Sequence, residues 1–153
     1  MNPELEHYLR MIEDLRGQVR DLIADLPAEA LNWRPLPAGE DHAVNSLAVL
    51  AAHVAGAEHF WVAEVIGSYP ATRDRPAEFA MQVDGPDSLL QRLDEVGVET
   101  RDVFSRLTEE DLDGMRETWD KAVSVRWGIL HVIDHTALHL GHMQITYQLW
   151  MGG

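Results

Sequence analysis

The chain has 153 residues, 46% of them hydrophobic and 25% charged, a size and balance expected of one globular domain with a core of its own. It contains no cysteine, which excludes a disulfide framework, a thiolate metal site and a catalytic protein thiol, and it fits a reducing compartment. Asp and Glu outnumber Lys and Arg by 26 to 12, giving a net charge of −14, the wrong sign for a nucleic-acid binder or for an anionic membrane surface.

The first helix is expected from Pro3 to Leu26, where Leu5, Leu9, Ile12, Leu15, Val19, Leu22 and Leu26 form one apolar stripe and Pro27 ends the run. The N-terminus has no basic segment followed by an apolar run, and no uncharged stretch is as long as a membrane span. The expectation is therefore a cytoplasmic protein without a signal peptide. A second helix begins at Asn45 or Ser46, both good N-caps, and reaches Ile66 before Gly67. It is apolar on most sides, as a buried element should be, and it carries His53. The third runs from Pro86-Asp87-Ser88 to Leu107, and Thr108-Glu-Glu-Asp ends it or opens a short turn. The fourth starts near Ser124 and runs without proline to Trp150. No segment alternates with period two, so no strand is expected, and the class is all-α. The connections at 27–44, 67–85 and 108–123 are longer than bundle loops usually are. Either they line a site or they cross the bundle ends between helices that are not neighbours.

The fourth helix carries His131, His135, His139 and His142, which fall within roughly 80° of one another at 100° per residue. Two imidazoles one turn apart can share an ion, and a third from a facing helix completes the way bundles build metal sites. His53 lies roughly 4–5 Å from the midpoint of its helix, and His135 and His139 about 3 Å from theirs, so the three meet if the helices pack lengthwise. A one-turn shift to His131 and His135 stays open. Gly56 and Ala57 share the His53 face and are expected to leave room for water or substrate beside an ion. Three imidazoles alone leave open coordination positions, the mark of a catalytic site. His7, His42 and His59 are read as structural or solvated. Glu58 should point away from His53, and Glu64 shares its face but lies about 16 Å further along, so no general base is evident.

These motifs resemble the DinB/YfiT-like superfamily of metalloenzymes, which includes thiol-dependent S-transferases. The resemblance rests on His53 followed by Phe60-Trp61, on His135-Thr-Ala-Leu-His139-Leu-Gly141-His142-Met-Gln144, and on Leu31-Asn-Trp33-Arg34-Pro35 before the second helix. It spans nearly the whole chain. It implies a four-helix bundle with long crossovers, often a homodimer, in which His53, His135 and His139 bind a divalent ion such as zinc or nickel. Leu140 and His142 depart from the usual arginine and glutamine, so a polar contact is altered. His131 and His142 then either support the ligands from behind or touch the substrate. The leading functional expectation is transfer of a low-molecular-weight thiol to a small-molecule electrophile, because the chain has no sulfur nucleophile of its own. A metal-dependent hydrolase and a non-enzymatic, stress-linked metal-binding dimer are the alternatives. With an ordinary imidazole pKa of ~6.5, three ligands should lose metal below about pH 6.

Overall fold

In the computed structural model the described residues are 1–36 and 44–153, so His42 lies outside them. Helix α1 spans Pro3–Ile23, with the Asn2 side chain accepting from the Leu5 amide at 2.9 Å and Pro3 in the first turn. It stops three residues short of Leu26 because Pro27 offers no amide and disfavours helical backbone just before it. A five-residue helix, α2 (Ala28–Asn32), follows. Helix α3 (Leu47–Glu58), capped by Ser46, is buried at every one of its residues and continues as a π-helical segment over His59–Ile66. Leu47–Ile66 is long and apolar enough to cross a membrane. Even so, 83% of its most apolar window is buried inside the fold, so the bundle itself uses that apolarity.

Helix α4 (Arg75–Phe79) lies within the next connection, capped by Asp74, and α5 (Asp87–Arg106) follows. A 3₁₀ turn at Glu109–Asp113 leads into β1 (Met115–Glu117) and β2 (Ala122–Ser124), paired antiparallel with Arg116 opposite Val123. This hairpin corrects the expectation of no strand. Three residues per strand are too few to show a period, so pairing and not pattern defines them. Helix α6 (Val125–Gly152) closes the chain, capped by Ser124.

The four long helices stand in a square. α1 packs against α5 and α6, and α3 packs against the same two from the opposite corner. Two of the three long connections, those joining α1 to α3 and α5 to α6, therefore cross a diagonal. The crossing accounts for their length, and the first of them also lines a pocket through Trp33 and Leu36. The core is divided into two apolar layers, one around Ile23, Leu47, Leu93 and Met143, the other around Leu5, Trp61, Phe104 and Ile129. Between them lies a polar layer. Arg16 donates to both oxygens of the buried Glu58, at 3.0–3.2 Å, and Thr100 donates to the same carboxylate at 2.6 Å. Gly97 makes this layer fit, since a Cβ there would stand 2.8 Å from an Arg16 guanidinium nitrogen.

Candidate metal centre

α3 and α6 bring His53, His135 and His139 together. One ring nitrogen from each lies within 4.8 Å of the other two, and the ring centroids are 4.4–4.9 Å apart. The Nε2 atoms of His53 and His135 face each other at 2.9 Å. At most one hydrogen fits between them, so the contact alone leaves the proton inventory of the cluster incomplete. The Nδ1 atoms of His135 and His139 are buried and have no hydrogen-bond partner. Burial first, then the His139, His53 and His131 rings, push the His135 pKa down to about 3. Burial, then His53 and His142, push His139 down to about 4. Both rings are therefore neutral at physiological pH, as a ligand must be. Three imidazoles, two of them with a buried nitrogen that no partner satisfies, and no thiolate or carboxylate in the trio suit a divalent ion of zinc or nickel type.

The other described histidines divide cleanly. The His131 ring stacks on Trp127 (centroids 4.8 Å apart, planes 6° from parallel) and meets the edge of Trp61 at 5.2 Å, so it belongs to an aromatic cluster one turn from His135. His142 is exposed, its ring 5.4 Å from His139 on the pocket side. His59 is buried, with both ring nitrogens engaged: Nδ1 with Glu99 at 2.6 Å, Nε2 with Glu64 at 2.8 Å and Thr72 at 2.9 Å. His7 is exposed on α1. Glu58 points into the polar layer, away from the trio, as the helical spacing required.

The connection between α3 and α5 holds what the sequence did not disclose. Glu78 on α4 approaches His53 Nδ1 at 3.0 Å, and Arg73 donates to both Glu78 oxygens at 2.9 and 3.0 Å. Phe79 packs on the His53 ring with centroids 4.9 Å apart, under the Arg75 guanidinium. The space beside Gly56 is thus not open to water or substrate. The Glu78 carboxylate fills it, and a Cβ on Gly56 would lie 1.9 Å from Glu78 Oε2. The only sequence signal for this arrangement was Asp74 followed by Pro76, a helix-start pattern inside a presumed loop. On the other side of the trio a pocket of about 1210 Å³ opens, lined by Trp33, Leu36, Phe79, His142, Ile145 and Leu149 among others. Trp33 reaches it because Asn32, in the same motif, clasps the Val83 backbone through both its amide oxygen and nitrogen, at 3.0 and 2.7 Å.

Two solved structures share the whole arrangement of helices. One is a conserved protein from Enterococcus faecalis, with a TM-score of 0.77 at 17% identity over 100% of this chain and 99% of its own. The other is a DinB-like protein from Bacillus cereus ATCC 10987, with a TM-score of 0.76 at 14% identity over 94% of this chain and 90% of its own. Both likenesses show the fold, an all-α bundle. The family model of mycothiol-S-transferase matches residues 7–152, and the chain belongs to that family. YkkA of Bacillus subtilis (strain 168) is 26% identical over 161 residues, covering 98% of this chain and 90% of YkkA.

Proposed function

We propose that the protein is a divalent-metal-dependent S-transferase that joins a low-molecular-weight thiol to a small electrophile, with His53, His135 and His139 as the ligands. The observation that carries this reading is the convergence of three imidazoles on a pocket in a chain of the mycothiol-S-transferase family. When bound, a zinc or nickel ion supplies the positive charge that favours the thiolate form of a thiol beside it. The chain contributes no sulfur, so the nucleophile arrives as cosubstrate. The thiol proton passes to solvent, the sulfur forms a bond to the electrophilic carbon, and the leaving group departs with its electron pair. The pocket exceeds the ~300–1,000 Å³ usual for one ligand, which suits two substrates at once. Leu36, Phe79, Ile145 and Leu149 offer an apolar wall to the electrophile, and His142 is the polar side chain next to the trio that a substrate can meet. Hydrolysis is less well supported. Among the described residues, the carboxylate that reaches the trio is Glu78, and it is already engaged by His53 and Arg73.

The test is thioether formation from mycothiol and a fluorogenic alkyl halide, with and without zinc or nickel. Metal-dependent turnover that His139→Ala reduces on the order of 10²-fold or more is the expected result. Equal rates with metal and with chelator would overturn the reading. We further propose a homodimer, supported by the exposed side chains of Leu130 and Leu138 on α6, which do not line the pocket. Light scattering that returns a monomer mass at micromolar concentration and moderate salt would refute it.

A further inference from the structure

Behind His53 runs a chain of hydrogen bonds with a definite direction. Glu78 is 7% exposed and lies closer to His53 Nδ1, at 3.0 Å, than Arg73 Nη2 does at 3.5 Å. Both Glu78 oxygens accept from the Arg73 guanidinium, at 2.9 and 3.0 Å, the bidentate pairing of an ionised carboxylate. An ionised carboxylate only accepts, so the hydrogen on that edge of the ring belongs to His53 Nδ1, which leaves Nε2 as the nitrogen that carries the lone pair of the neutral ring. That lone pair is aimed at the centre of the trio, where His135 Nε2 stands 2.9 Å away.

Glu78 cannot drift. Its two oxygens are forked by Arg73, and its carboxyl sits in the notch left by the missing side chain of Gly56. Arg73 is fixed in turn at its backbone amide, which donates to Glu64 at 2.9 Å; Glu64 also takes the Thr72 amide at 3.1 Å and pairs with His59. We propose that Glu78, clamped by Arg73 over Gly56, is a positioning residue that holds the His53 hydrogen on Nδ1 and so presents the Nε2 lone pair to an ion shared with His135 and His139. The proposal rests on the three-histidine reading. Its physical content is that a hydrogen-bonded carboxylate fixes both tautomer and ring orientation of a ligating imidazole, an effect that usually changes metal affinity 10–100-fold.

The experiment is ¹⁵N NMR of histidine-labelled, metal-free protein at about pH 7.5, together with zinc titration against a chromogenic chelator. Wild type should show His53 with Nδ1 protonated. Glu78→Ala should shift the hydrogen towards Nε2 and weaken zinc binding about 10–100-fold. Gly56→Ala should do the same without touching any histidine or carboxylate, because its new methyl group evicts Glu78. Glu78→Gln, which keeps an accepting oxygen and the side-chain volume, should recover part of both effects, and circular dichroism checks that each variant keeps its helices. A wild-type His53 carrying its hydrogen on Nε2 would overturn the proposal. Unchanged zinc affinity in both Glu78→Ala and Gly56→Ala would overturn the positioning role while leaving the three-histidine site intact. A wild type that binds neither zinc nor nickel, yet keeps Nδ1–H on His53, would instead overturn the three-histidine reading and with it any role of Glu78 towards a metal.

Discussion

His53 and His59 stand six residues apart in one buried helical run, both nearly inaccessible and both facing a carboxylate. They nevertheless differ in kind. His59 has its two nitrogens closed by Glu99 on one edge and by Glu64 and Thr72 on the other, so nothing is left over. His53 has one edge closed by Glu78, and the other turned to two more imidazoles whose Nδ1 atoms find no partner. A buried polar group without a partner costs free energy, and a fold retains such groups together where something else completes them. Burial thus does not separate the structural histidine from those proposed to hold a metal. Unfilled hydrogen-bonding capacity does.

The sharpest way to break this comparison is to remove each ring. Metal content measured on purified variants should fall to zero for His135→Ala and His139→Ala and stay near one ion per chain for His59→Ala. His131→Ala should also keep its metal, because that ring is stacked on Trp127. Metal lost in His131→Ala but kept in His139→Ala would move the site one turn towards the N-terminus of α6.

Much of this contrast was legible in the chain itself. Apolar stripes located α1 and α5, apolarity on most sides located the buried α3 run, and an unbroken stretch without proline located α6, each to within a few residues. Helical spacing put His135 and His139 on one face and turned Glu58 away from His53, and the packing of α3 on α6 did the rest. What the sequence hid lies in the connections. Glu78 and Arg73 reach His53 from a segment with no periodicity, through a close approach that only the missing Gly56 side chain permits, and such a contact is set by tertiary packing. Likewise, nothing in the sequence announced that His59 would sit between Glu99, forty residues on, and Glu64.

A second pair of experiments exchanges the roles of the two residues. His59→Ala should cost about 3 kcal/mol in urea denaturation of the metal-free protein, since it strands Glu64 and Glu99 together in a largely buried place. A chelator should lower the melting temperature of metal-loaded wild type by several degrees, because a ligand that binds only the folded state stabilises it by mass action. The same chelator should barely move His53→Ala. An equal chelator response in wild type and His53→Ala would remove His53 from the ligand set.

The smallest effect, and the one that separates the two kinds of histidine by chemistry alone, is in the pH dependence of the metal-free protein. In the fold His135 and His139 are held neutral, with pKa values of about 3 and 4, whereas the unfolded chain takes up these protons near 6.5. Between those values the unfolded state binds more protons than the folded one, so stability must fall as pH falls through that window. Glu78 works in the same direction but lower down. Its depressed pKa contributes stability that is present above the ordinary carboxylate value of 4.5 and is lost below it. The interval from about pH 6.5 to 5 therefore belongs to imidazoles: His135, His139 and His131, whose pKa burial also lowers. Urea midpoints of the apo wild type should decline across it, and those of the double variant His135→Gln/His139→Gln should decline less steeply. An unchanged slope in the double variant would mean that these rings are protonated in the fold after all. The same shift revises the expectation drawn from an unperturbed imidazole: proton competition for a metal at His135 and His139 should begin near pH 4 in the folded protein, so that loss of metal near pH 6 would have to be traced to a different group.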